Sequence, residues 1–123
     1  MNPAQQSPLK VIFRIEFETD GRLGRGKMQL LAHIRETGSI SAGGRAMDMS
    51  YRRAWLLIDE MNRMFARPVV ESQRGGKQGG GAVVTDFGEE LLARFHAMEA
   101  KVAEALSQDL DWLVANRAPD STS

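Results

Sequence analysis

Between residues 9 and 19 the side chains alternate, with Leu9, Val11, Phe13, Ile15 and Phe17 on one side and Lys10, Ile12, Arg14, Glu16 and Glu18 on the other. A period of two is that of a strand with one buried face. Gly21, Gly24 and Gly26 then predict a turn or loop over residues 20–26. From Lys27 the period lengthens: Met28, Leu31, Ala32 and Ile34 recur at helical spacing, and Thr37-Gly38 supplies a stop. Ser39 stands where it caps a short second helix over residues 40–47, limited by Gly43 and Gly44. After Asp48-Met49, Ser50 caps a third, with Ala54, Leu57, Ile58, Met61 and Phe65 on one stripe and Pro68 as its limit. The second and third helices are thus separated by about three residues, the spacing of a helix-turn-helix.

Beyond Pro68 two short β-prone runs, Val69-Val70-Glu71-Ser72 and Ala82-Val83-Val84, flank a glycine-rich basic loop and predict a hairpin. Thr85 is a cap for a long helix, with Asp86, Glu89 and Glu90 where the helix dipole favours carboxylates. Its apolar positions Leu91, Phe95, Met98, Val102, Leu106, Leu110 and Leu113 keep one stripe for more than six turns. The expected class is mainly α with a small β component: a flexible start over residues 1–8, a winged helix-turn-helix domain over 9–84, a long helix of the same domain over 85–117, and a disordered tail over 118–123.

Composition narrows this without changing it. The chain has 123 residues, 42% apolar and 26% charged, which fits one domain with its own core and argues against disorder or a disulfide scaffold. No apolar run approaches the roughly 20 residues of a membrane span, so a soluble protein is expected. Residues 1–8 lack the pattern of a secretory signal and there is no cysteine, which fits the cytoplasm and excludes thiol chemistry and cysteine-ligated metals.

Charge does change the picture once it is divided along the chain. The net charge is zero, yet residues 22–77 carry 11 basic residues against five acids, and the remainder carries the reverse excess. A basic middle gives one face an attractive field for phosphate. In a winged helix-turn-helix the third helix enters the major groove and the hairpin touches the neighbouring backbone. The basic residues fall accordingly: Tyr51, Arg52 and Arg53 begin helix three, and Arg74 and Lys77 flank the loop glycines Gly75, Gly76, Gly79, Gly80 and Gly81. Arginine suits base reading because its guanidinium bonds guanine O6 and N7 together. Ser39, Ser41 and Ser50 combine capping with phosphate contact. At Trp55, partial burial in packing competes with base contact.

The same loop fails as a nucleotide cradle, because GGKQGGG lacks the GxxxxGK[ST] spacing and precedes a strand. His33 and His96 lie in different helices without ligand-spaced partners. No nucleophile, base and orienter can be named, so no enzyme, metal or cofactor is expected.

The run GSISAGGRAMDMSYRRAWLLIDEMN from Gly38 to Asn62 resembles the DNA-binding domain of molybdate-dependent transcriptional regulators of the ModE type, and RGGKQGGGAVVTDFG from Arg74 to Gly88 resembles that family's wing. The resemblance extends over residues 9–113. It implies a LysR-like winged helix-turn-helix that binds double-stranded operator DNA as a homodimer, with Ser39, Ser41, Ser50, Tyr51, Arg52, Arg53 and Trp55 in the motif and Gly75 to Gly81 in the wing. The family senses molybdate or tungstate in C-terminal domains. This chain ends at Ser123, so the resemblance implies a stand-alone DNA-binding form without direct molybdate sensing. The alternatives are an oxyanion-responsive or partner-binding module that keeps the fold, and a sequence-indifferent nucleic-acid packager, which the neutral total charge disfavours.

Overall fold

The N-terminal alternation carries through to burial: Val11, Phe13, Ile15 and Phe17 are half-buried and their neighbours exposed in the computed structural model, which describes residues 9–18, 21–73 and 81–119. The paired strand is much shorter than the alternating run. Only β1 (Arg14–Glu16) enters a ladder, and its antiparallel partner is β2 (Arg22–Gly24), in the segment expected to be a loop. Burial explains the second strand, since Leu23 at its centre is core and the Phe17 N–H donates to the Gly21 carbonyl at 3.0 Å to close the hairpin. Aromatic contacts anchor the rest of the segment. Phe13 stacks on Phe95 at 5.0 Å, and Phe17 meets Phe65 edge-on, which in turn meets Phe87.

Three helices follow: α1 (Arg25–Thr37), α2 (Ile40–Arg45) and α3 (Tyr51–Met64). Gly38 ends α1 with φ 72°, and its amide donates back to the Ile34 carbonyl at 2.8 Å. Ser39 caps α2, its Oγ accepting the Ala42 N–H at 3.0 Å. At the end of α2 the Met49 N–H reaches the Gly44 carbonyl and the Asp48 N–H the Arg45 carbonyl, with Asp48 left-handed at φ 57°. These are the paired bonds of a Schellman turn, which redirects the chain into α3 within a few residues. The two helices pack closely because position 44 is glycine: a Cβ there would lie 2.8 Å from the Ala54 Cβ.

β3 (Val70–Gln73) pairs antiparallel with β4 (Gly81–Val84), Val70 opposite Val84 and Gln73 opposite Gly81. The hairpin is tied to the helices, the Ala82 N–H donating to the Gly38 carbonyl at 2.9 Å. Thr85 caps α4 (Asp86–Ala105), accepting the Gly88 N–H and donating its own hydroxyl to the Pro68 carbonyl. One core unites these elements, with Leu30, Leu31, Ile34, Ala54, Met61, Val69 and Phe95 sealed at its centre. The fold is mainly α with two small antiparallel sheets.

The long helix differs from expectation in one respect. It is interrupted at Leu106 (φ −96°, ψ 3°), and α5 (Ser107–Ala115) continues beyond. The Leu106 N–H still reaches the Val102 carbonyl and the Leu110 N–H the Leu106 carbonyl, so the bond ladder passes through the interruption. The fully buried residues of α4 end with Phe95, and α5 has none. Among the described residues no helix is long and apolar enough to cross a membrane.

Candidate nucleic-acid interface

α3 is amphipathic, and its sequence decides which face is free. Ala54, Ile58 and Met61 are buried against the core, so the opposite side of the helix points outward. Its first turn is held by Ser50, whose Oγ accepts the Arg53 N–H at 3.1 Å. That cap presents Tyr51, Arg52 and Arg53 together, all exposed. The first turn contains no acid, whereas the first turn of α4 contains Asp86 and Glu89. Arginines at a helix N-terminus oppose the helix dipole, by roughly 0.3 to 1 kcal/mol each when exposed. Neither Arg52 nor Arg53 has a carboxylate partner among the described residues. The turn therefore carries positive charge that the fold leaves uncompensated.

α2 adds to the same charge. Arg45 at its end is exposed and donates to Ser41 Oγ at 3.2 Å, again without a carboxylate. Ser39 is engaged as a cap and half-buried. Trp55 is 44% exposed, so its ring is partly covered by the fold and partly open to a ligand. It lies seven residues before Asn62, on one face of α3. Asn62 is a residue that sequence reasoning did not single out. Its Oδ1 accepts the Val69 N–H at 2.7 Å and the Val70 N–H at 3.3 Å, and its Nδ2 donates to the Val70 carbonyl at 3.1 Å. One side chain thus fixes the start of the hairpin against the last turns of α3. A polar residue on the border of an apolar stripe, in the last turn before the chain leaves the helix towards Pro68, was the available signal.

Arg74, Gly75, Gly76, Lys77, Gly79 and Gly80 lie outside the described residues. Gly81 opens β4 beside the Gly38 carbonyl, where a Cβ would lie 3.1 Å from that oxygen.

Other basic residues of the central segment are already matched. Lys27 is buried, donates to the Arg22 carbonyl and pairs with Glu60 of α3 at 3.2 Å. Arg25 pairs with Glu99 at 3.6 Å, Arg35 with Glu89 at 3.1 Å and Arg63 with Asp59 at 3.2 Å, while Arg67 lies over the Phe87 ring. Within the described residues the surplus read from the sequence therefore narrows to Arg22 in β2 and to Arg45, Arg52 and Arg53 around the start of α3.

A groove of about 420 Å³ separates α1 from α4, lined by Met28, Ala32, Leu92 and Phe95 with Arg25 and Arg35 at its edges. Both arginines are committed to carboxylates, so the groove offers an anion no unpaired guanidinium. His96 stands 3.9 Å from Glu99, and no group of three potential metal ligands occurs among the described residues.

The chain is similar to the molybdenum-pterin-binding protein MopB of Rhodobacter capsulatus, 49% identical over 89 residues that cover 72% of this chain and 33% of that protein. It is similar to the molybdenum transport protein ModE of Azotobacter vinelandii, 34% identical over 101 residues covering 80% of this chain and 37% of the relative. It is also similar to the DNA-binding transcriptional dual regulator ModE of Escherichia coli K12, 40% identical over 86 residues, 68% of this chain and 33% of the relative. These likenesses support the ModE family. The chain spans about a third of the length of the curated relatives it matches. No protein-family model matches it.

Proposed function

We propose that this chain is the DNA-binding part of a ModE-type transcriptional regulator. In this reading α2, the Schellman turn and α3 form the helix-turn-helix, and β3 and β4 form the wing. α3 enters the major groove with Arg52 at base edges, and Arg53 on its flank lies near phosphates with Ser39, Ser41, Ser50 and Tyr51. The loop between β3 and β4, with Arg74 and Lys77, meets the adjacent backbone. A homodimer reads two half-sites, and the protein acts by occupying its operator, without catalysis. The observation that carries the reading is the exposed first turn of α3, with two arginines lacking carboxylate partners on a helix rigidly capped by Ser50. The name of the similar Escherichia coli regulator supports it.

The second reading, a molybdenum-responsive or partner-binding module, draws on the name of the Rhodobacter capsulatus relative. The neutralised arginines of the α1–α4 groove count against an anion site there. A fluorescence-anisotropy titration against DNA from the protein's own genomic neighbourhood, with excess random competitor at about 150 mM salt, separates the two. Competitor-resistant binding that is unchanged by molybdate is the expected result. Binding that appears only with molybdate supports the responsive module. Failure on that DNA and in a randomised-site selection, with and without molybdate, overturns the DNA reading.

A further inference from the structure

The outward face of α3 is not uniformly polar. Leu56 is 45% exposed and Trp55 is 44% exposed, side by side on the helix that carries the unpaired arginines. Leu56 lies two residues past Ala54, which places it on the side of α3 opposite the buried stripe. It is four residues after Arg52 and three after Arg53, so it stands one turn from both. The positions that one helical face offers to a groove are i, i+3, i+4 and i+7, and here they are Arg52, Trp55, Leu56 and Asp59. The Asp59 carboxylate pairs with Arg63 at 3.2 Å, so the face is cationic at one end, apolar in the middle and charge-paired at the other.

We propose that Leu56, with Trp55 beside it, reads thymine by contact with the C5-methyl group, one or two base pairs from the base addressed by Arg52. The proposal rests on the DNA-binding reading above. Its chemistry is that of the major-groove floor, where the thymine methyl is the apolar feature and lies within a surface of hydrogen-bond acceptors and phosphates. A face that pairs free guanidinium groups with exposed aliphatic and aromatic carbon matches that mixture. The offset follows from geometry: four residues of helix advance about 6 Å, against about 3.4 Å per base pair.

The test removes the methyl and nothing else. After an operator has been obtained by randomised-site selection, each thymine is replaced singly by deoxyuridine and affinity is measured by anisotropy for the wild type, L56A and W55A. For the wild type, substitution at one or two positions in each half-site is expected to weaken binding about fourfold, the scale of one buried methyl. In L56A that penalty disappears while the overall fold, judged by circular dichroism, is kept. Specific binding with no sensitive thymine, or a penalty of equal size in both variants, overturns the methyl-reading role of this face. Absence of specific binding to any selected DNA overturns the DNA reading and the methyl contact with it. A wild-type penalty abolished in W55A but kept in L56A removes the role from Leu56.

Discussion

Arg52 and Arg53 are neighbours in sequence but stand about 100° apart around α3. Arg52 shares its face with Leu56, whereas Arg53 lies seven residues before Glu60, on the flank where Lys27 pairs with that carboxylate. The proposed reading therefore separates their roles. R52A is expected to cost about 1–3 kcal/mol on the selected operator and much less on random DNA. R53A should weaken both by similar amounts and lower the slope of log affinity against log salt by about one, as a phosphate contact does. Anisotropy titrations at several salt concentrations check both; equal losses for R52A on the two DNAs would make it a phosphate contact as well. At the same scale, Lys27 is the buried charge of the described core, held by the Arg22 carbonyl and Glu60. E60Q leaves that ammonium with a neutral partner. Because Glu60 is itself about a third exposed, the expected loss is about 1–2 kcal/mol, below that of a fully buried pair. The double variant K27M/E60L should recover much of it in urea denaturation.

At the scale of elements, the joint between α2 and α3 and the joint between α3 and the hairpin set where any ligand of α3 would meet the wing. Asp48 occupies the left-handed region at φ 57°. D48G removes the Cβ cost of that conformation, so stability should rise by up to about 1 kcal/mol, while D48V should lower it by about 1–2 kcal/mol. Thermal melts of the two variants check the sign. N62A strips the Val69 and Val70 amides and the Val70 carbonyl of their partner, with an expected loss of about 1–3 kcal/mol.

These elements also show what could be read from the sequence alone. Ser39, Ser50, Thr85 and Gly38 were legible because a cap or stop acts on amides a few residues away. β2 was not, because two glycines flanking Leu23 look like a loop until β1 pairs with it and the core takes up Leu23. The interruption at Leu106 carries neither glycine nor proline, so the sequence offered no local signal for it. The positions of Arg52 and Arg53 were legible. Their lack of partners was not, since the neutralisation of Lys27 depends on Glu60, 33 residues away.

At the scale of the whole molecule, the apolar stripe outruns the core it serves. Leu91 and Phe95 are buried, but Leu106, Trp112, Leu113 and Val114 are exposed and α5 buries no residue. That much bare apolar surface on α5 fits an interface, and in the proposed reading a second copy of the chain covers it and satisfies the symmetry of paired half-sites. The proposed homodimer is accordingly expected at twice 13.6 kDa in light scattering at micromolar concentration. W112D/L113D should reduce it to the monomer with little loss of thermal stability, because those side chains contribute nothing to the core of one copy. A wild-type monomer would overturn the dimer. DNA supplies a second readout. If α4 and α5 clamp two copies at a fixed distance, lengthening the spacer between half-sites by about five base pairs turns one half-site to the far side of the duplex and should abolish the gain from dimerisation. Lengthening it by about a full turn, roughly ten base pairs, restores the facing but not the distance, so recovery should be partial for a rigid clamp and complete only for a flexible one.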